Sequence, residues 1–222
     1  VKDGRRPGRG RIMWSKEDAR RFARQQRREA QRSGRPDALM DPSQRTVFTE
    51  LLKRLDTPTS KSTIAMYVSS TREPPTHEII STLVALPVRV VVPRVPSHQR
   101  ALQWVEVDET SAWEPDERGL WAPLGQDVGL DGCSVIVVPA LRVSAAGDRL
   151  GQGGGYYDRA LATVAPHAQG GPWRIGLVFD HELTAETDWY TEPHDETLDL
   201  VLTLPLSRHP QPGRAPTPTD PQ

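Results

Sequence analysis

Gly147-Asp-Arg-Leu-Gly-Gln-Gly-Gly-Gly-Tyr-Tyr-Asp-Arg-Ala-Leu161 places four glycines within five positions, at Gly151, Gly153, Gly154 and Gly155. Arg149 stands just before them, and Tyr156, Tyr157 and Asp158 follow directly. A run without Cβ atoms can take positive φ and let a ligand lie against bare backbone N–H groups. A following helix would aim its N-terminal N–H groups at the same place, so phosphate is the ligand that suits this chemistry. Upstream, Ser134-Val-Ile-Val-Val-Pro139 is short, apolar and β-branched, and reads as a buried strand. The expected order is strand, glycine loop, helix, which is where α/β proteins bind nucleotides and other anions.

Two familiar glycine motifs do not fit. A Walker loop ends in Gly-Lys-Ser/Thr, which is missing, and a dinucleotide fingerprint needs glycine where Tyr156 stands. The bland alternative is a turn that binds nothing. Arginine, two tyrosines and an aspartate packed around the glycines argue against an idle turn.

The run Arg149-Leu-Gly-x-Gly-x-Gly-Tyr-Tyr-Asp158 resembles the signature of the 5-formyltetrahydrofolate cyclo-ligase (methenyltetrahydrofolate synthetase) family. Gln152 falls in a variable slot, and Gly154 stands where some members carry lysine. Alternating strands and helices suggest a single three-layer α/β/α domain with a mainly parallel sheet. The resemblance implies a fold similar to the phosphosugar isomerase and CoA-transferase group, with ligands at the strand C-termini.

At 222 residues the chain can bury one good core. No stretch approaches the roughly 18 apolar residues of a membrane helix. The N-terminus is basic but has no apolar segment behind it, unlike a secretory signal. Cys133 has no disulfide partner, and the expected location is cytoplasmic. Residues 1–35 hold 13 of the 28 Lys/Arg but only 4 of the 29 Asp/Glu. A nucleic-acid arm is one reading of that imbalance, but aromatic residues are not interleaved there, so a solvated basic segment is preferred. Residues 1–14 are expected to be a disordered basic extension, 15–205 the folded domain, and 206–222 a disordered Pro-rich tail.

A helix is expected over residues 15–31, capped by Ser15 with Asp18 at the third helical position. Lys16, Arg20, Arg24 and Arg27 or Arg28 share one face of it. Its apolar support is thin (Trp14, Ala19, Phe22, Ala23, Ala30), so it needs an anionic partner or a docking surface. A second helix over 43–55 would bury Val47, Leu51, Leu52 and Leu55. Strands are expected at 64–68, 89–93, 102–107 and 173–179, with a helix at 77–85 and a last strand ending at Thr203.

The resemblance extends to several of these segments. Lys16 and Arg20 match a Lys-x-x-x-Arg pair that contacts ATP. The resemblance implies that Arg149, Leu150, Gly151, Gln152, Gly153, Gly154, Gly155, Tyr156 and Tyr157 complete the ATP site, with Lys16, Arg149 and Tyr156 closest to the chemistry. Val68 and Glu73 match an apolar contact and a pterin-binding glutamate, and residues 152–156 also face the folate. A carboxylate suits the paired donor edge of a pterin. Asp158 and Asp195, the latter in Thr191-Glu-Pro-His-Asp195, match Mg²⁺-contacting acids. Carboxylates with phosphate oxygens suit Mg²⁺, and zinc is disfavoured because His194 has no second histidine at helical spacing. The chain departs from the family at Ala122, where a glutamate is usual, and at Ala140, Arg142, Val143 and Ser144.

The implied reaction closes a ring. ATP phosphorylates the N5-formyl oxygen of 5-formyltetrahydrofolate, N10 attacks the activated carbon, and phosphate leaves to give 5,10-methenyltetrahydrofolate. The nucleophile belongs to the substrate, which agrees with a sequence lacking any Ser/His/Asp nucleophile motif. The expected partners are these two small molecules, acting on a monomer, with no membrane and no nucleic acid. The competing readings are a phosphosugar isomerase or CoA transferase on the same fold, and a catalytically impaired folate binder suggested by Ala122.

Overall fold

A computed structural model of the chain describes residues 13–32, 42–54, 61–96, 101–116 and 121–205. In chain order the first elements are α1 (Lys16–Arg32), α2 (Pro42–Lys53), β1 (Thr63–Ala65), α3 (His77–Val84), β2 (Arg89–Arg94) and β3 (Gln103–Val107). They are followed by β4 (Trp113–Pro115), β5 (Trp121–Pro123), β6 (Cys133–Pro139), β7 (Arg142–Ser144), β8 (Arg149–Leu150) and α4 (Tyr156–Leu161). The last are β9 (Trp173–Phe179), β10 (Leu183–Thr184) and β11 (Leu200–Leu204).

The apolar run at β6 is buried on both faces, as a central parallel strand must be. It sits inside a six-stranded sheet of order β11-β9-β6-β1-β2-β3. The first five strands are mutually parallel, and β3 alone is antiparallel, closing the β2 edge. Alternation sorts the side chains into two cores. Ile64, Val90, Val135, Val137, Ile175 and Leu177 pack with Val47 and Leu51 of α2 and with Ile79, Ile80 and Leu83 of α3. Ala65, Val91, Ile136, Val138 and Val178 face the other way, against Ala160 and Leu161 of α4 and Val143 of β7. This is the mainly parallel three-layer architecture expected from the sequence. Among the described residues, no helix is long and apolar enough to cross a membrane. The expected extension and tail lie outside the described residues for 1–12 and 206–222, as does Leu55.

Two local expectations change. The strand expected over 64–68 leaves its ladder after Ala65. Thr76 diverts it: its buried hydroxyl donates to the Tyr67 carbonyl (2.8 Å) and accepts from the Ser69 N–H (3.0 Å). The glycine loop also does not leave β6 directly. The chain first folds back as the β7–β8 hairpin of a small sheet, β10-β7-β8. The Asp148 N–H donates to Ser144 Oγ (3.1 Å), and Gly147 closes the turn at φ +89°, where a Cβ would lie 2.3 Å from the Leu198 carbonyl oxygen. The hairpin returns Leu150 beside Leu141, whose N–H donates to the Leu150 carbonyl (2.8 Å), so the loop opens next to the C-terminal end of β6.

Candidate active site

The strand order reverses at β1. The chain steps from β1 to β2 and β3 on one side, then crosses to β6, β9 and β11 on the other. In open α/β sheets ligands bind at such a switch point, beyond the strand C-termini. A cavity of about 450 Å³ opens there, within the size range of small-molecule sites. Tyr67 and Val68 reach it from just beyond β1, Pro93 and Val95 from the end of β2, and Pro139 and Ala140 from the end of β6. All fifteen residues selected from the sequence line it: Lys16, Arg20, Val68, Glu73, the run from Arg149 to Asp158, and Asp195.

The cationic wall is α1 together with Arg149. Ser15 caps the helix as expected, its Oγ accepting the Asp18 N–H (3.1 Å). Lys16 donates to Glu192 (2.5 Å) and Asp195 (2.6 Å). Burial alone would lower the Lys16 pKa, but hydrogen bonds and charge from the two acids outweigh it and raise it. Arg20 Nε donates to the Gly151 carbonyl (3.0 Å), and Arg24 holds the Gln152 carbonyl (2.8 Å) and side chain (3.1 Å). The Arg149 side chain is 4 % exposed and donates to Asp158 Oδ1 at 2.5 Å. Its Nε is buried without a partner among the described residues, and a Cβ at position 151 would come within 2.5 Å of its guanidinium. Glycine at 151 is what lets that cation lie beneath the loop.

The opposite wall is less polar. Glu73 accepts from the Ser70 N–H (3.0 Å) and hydroxyl (2.9 Å), which fixes its carboxylate at the cavity edge. Trp121 is largely exposed at the rim, beside buried Ala122. The Tyr157 ring meets Trp104 edge-on (6.1 Å), and the Tyr67 hydroxyl donates to the Pro74 carbonyl (2.8 Å). Burial pushes both phenols well up, so they remain neutral donors. Tyr156 lies under the Arg159 guanidinium, 5.3 Å from the ring centre.

A profile of the 5-formyltetrahydrofolate cyclo-ligase family matches residues 12–204, spanning every element around this cavity. The chain belongs to that family. It is 35 % identical over 155 residues to a 5-formyltetrahydrofolate cyclo-ligase of Mycolicibacterium smegmatis, a match covering 65 % of this chain and 74 % of that protein. A probable 5-formyltetrahydrofolate cyclo-ligase of Caenorhabditis elegans is 27 % identical over 154 residues, covering 63 % of this chain and 71 % of that one. Among solved structures, a 5,10-methenyltetrahydrofolate synthetase from Aquifex aeolicus superposes with a TM-score of 0.64 at 18 % identity, over 85 % of this chain and 89 % of that one. One from Mycoplasma pneumoniae gives 0.56 at 19 % identity, over 85 % and 98 %. At those identities the superpositions speak to the fold.

Glu192, His194 and Asp195 form a cluster on the lining of this cyclo-ligase cavity. Ligand atoms of Glu192, His194 and Asp195 lie within 4.8 Å of one another, and Asp158 lines the same space. Three carboxylates without a thiol suit a hard, oxygen-preferring cation, so the residues fit Mg²⁺. Burial alone would raise the Asp195 pKa, but the hydrogen bonds from Lys16 and the Glu192 N–H outweigh it and hold it low. The hydrogen bond from Lys16 likewise lowers that of Glu192.

Sequence reasoning missed several supports. Arg27 does not share the cationic wall: it is 3 % exposed, forks onto Glu182 (also 3 % exposed) and donates to the Ala140 carbonyl at 2.5 Å. The signal was present, because Ala19, Ala23 and Arg27 recur at four-residue spacing and all three are buried. Glu192, two residues before His194, and Arg159 at the end of the signature were also passed over.

Proposed function

We propose that this chain uses ATP to close 5-formyltetrahydrofolate to 5,10-methenyltetrahydrofolate, releasing ADP and phosphate. The observation that carries this reading is the meeting of Lys16, Arg20, Arg149, Glu73, Asp158 and Asp195 in one cavity at the sheet's switch point. Phosphoryl transfer chiefly needs positioning and charge neutralisation. Arg149 and Lys16 supply fixed positive charge at the loop, where charge spreads over the phosphoryl oxygens as the formyl oxygen attacks the terminal phosphorus. Arg20 holds the glycine loop against α1 while Glu73 takes the donor edge of the pterin. N10 then attacks the activated carbon, the C–O bond to phosphate breaks, and the N10 proton departs. Tyr156 sits at the junction, able to pack on or hydrogen-bond the folate. Asp158 and Asp195, with Glu192 close to Asp195, would hold Mg²⁺, whose charge would offset that of the phosphate.

The test is a spectrophotometric assay with folinic acid and Mg-ATP. The expected result is methenyltetrahydrofolate absorbance that rises only when both ATP and Mg²⁺ are present. Binding of folinic acid without turnover would assign the chain to the non-catalytic folate binders instead.

A further inference from the structure

Arg24 and Arg159 do not line the cavity. Each instead donates to a carbonyl of the glycine loop. Arg24 Nη2 donates to the Gln152 carbonyl (2.8 Å), and Arg159 Nη2 donates to the Gly154 carbonyl (2.9 Å). The peptide bonds are all trans among the described residues, and in a trans peptide the C=O and the following N–H point in opposite directions. Because neither arginine lines the cavity, carbonyls held by them are held away from it, which would turn the N–H groups of Gly153 and Gly155 toward the cavity that both residues line. Gly153 (φ +101°) and Gly155 (φ +65°) hold the left-handed conformations that give such a loop its concave, anion-binding form.

We infer that Arg24 and Arg159 are positioning residues that set this loop for the polyphosphate of a nucleotide, without touching it. The inference deepens the reading above and rests on it, since it takes the loop to receive ATP. Without these two donors the carbonyls are free to rotate inward, and an inward carbonyl repels the phosphate that an N–H attracts. Both guanidinium groups are exposed, so removing them leaves the core intact.

The experiment compares Arg24→Met, Arg159→Met and the control Arg21→Met in the full chain. Arg21 carries the same charge on the same helix, but is 70 % exposed and paired with Asp18. Titration calorimetry measures the affinity for Mg-ATP and, separately, for 5-formyltetrahydrofolate, alongside thermal melts. Arg24→Met and Arg159→Met should each weaken Mg-ATP about five- to tenfold, as the loss of a charge-assisted hydrogen bond does, with melting unchanged. Arg21→Met should leave it within about twofold, because an exposed charge is screened. Arg24→Lys, which keeps a donor, should recover most of the loss, and Arg24→Met should weaken folate clearly less than Mg-ATP, because Val68 and Glu73 hold the folate from outside this loop. Wild-type protein that binds 5-formyltetrahydrofolate but not Mg-ATP overturns the ATP reading and this inference with it. Wild-type protein that binds Mg-ATP, with Arg24→Met and Arg159→Met no weaker than Arg21→Met, overturns the inference alone. So does an equal loss of both ligands in Arg24→Met.

Discussion

Replacing Glu182 with leucine tests how α1, carrier of Lys16 and Arg20, is fixed to the sheet. The Glu182 carboxylate accepts from Arg27 Nε and Nη2 (the latter at 2.9 Å) and from the Phe179 N–H (3.0 Å). Both side chains are 3 % exposed, so no water replaces these bonds when the carboxylate is lost. Burial alone would lower the Arg27 pKa, and Glu182 more than restores it, a sign that the pair is mutually dependent. Glu182→Leu leaves a buried guanidinium unpaired and one N–H orphaned. Removing one partner of a buried pair costs about 3–5 kcal/mol. At about 2–4 °C per kcal/mol for a chain of this size, melting should fall by roughly 6–20 °C. Calorimetric melts of wild type, Glu182→Leu and the double variant Arg27→Met/Glu182→Leu measure this. The double variant should regain most of the loss, because two apolar side chains of similar volume replace the pair without a stranded charge. A Glu182→Leu melting drop below about 2 °C would refute the reasoning, since the pair would then contribute under about 1 kcal/mol.

Three further outcomes follow. Asp158→Asn keeps the shape and a bond to Arg149 but removes the charge, and should cut turnover about a hundredfold or more, with some loss of melting temperature because buried Arg149 loses its counter-charge; wild-type turnover would reject its metal role. Lys16→Met should raise the KM for ATP about tenfold. Its effect on melting should be constant near neutrality and vanish in acid. Asp195 and Glu192 have lowered pKa values, so their contribution is in place above their ordinary values of 3.8 and 4.5 and is lost as pH falls through the lower folded ones. On the alkaline side Lys16, raised above 10.5, keeps its contribution until pH climbs past that value. A wild-type-minus-variant melting difference that grows in acid would contradict this pairing. Cys133 is buried, and desolvation pushes its thiol up to about 12, so a thiol reagent near pH 8 should label it only after denaturation.

The architecture could be read from the sequence where a physical rule acts locally. The β6 run is apolar on successive residues because it is buried on both faces, and that placed a parallel sheet before any contact was known. The glycine loop announced itself because its close approaches demand the absence of Cβ, as at Gly151 over Arg149. The route into that loop was hidden, because a two-residue strand such as β8 leaves no periodicity to detect. The end of β1 was hidden for a related reason: a single hydroxyl, that of Thr76, decides where the ladder stops.

The cations of α1 show where reading by period reaches its limit. Lys16, Arg20, Arg24 and Arg27 follow one another at three- or four-residue spacing, and the sequence offers the same charge at each. Yet they do different things: Lys16 meets the acids, Arg20 and Arg24 hold the loop, and Arg27 is sealed in the interior. What separates them is the partner, and each partner lies more than 100 residues downstream: Asp195, Gly151, Gln152 and Glu182. Among the described residues, the helix buries only Ala19 and Ala23 besides Arg27, too little apolar surface to dock by itself. Its position, and therefore that of the phosphate-binding cations, is set by polar contacts at both ends. A helix held that way is placed accurately only when those distant partners are in place. Any substitution that loosens the Glu182 end should therefore be felt at the Lys16 end, as a higher KM for ATP, before it is felt by the folate.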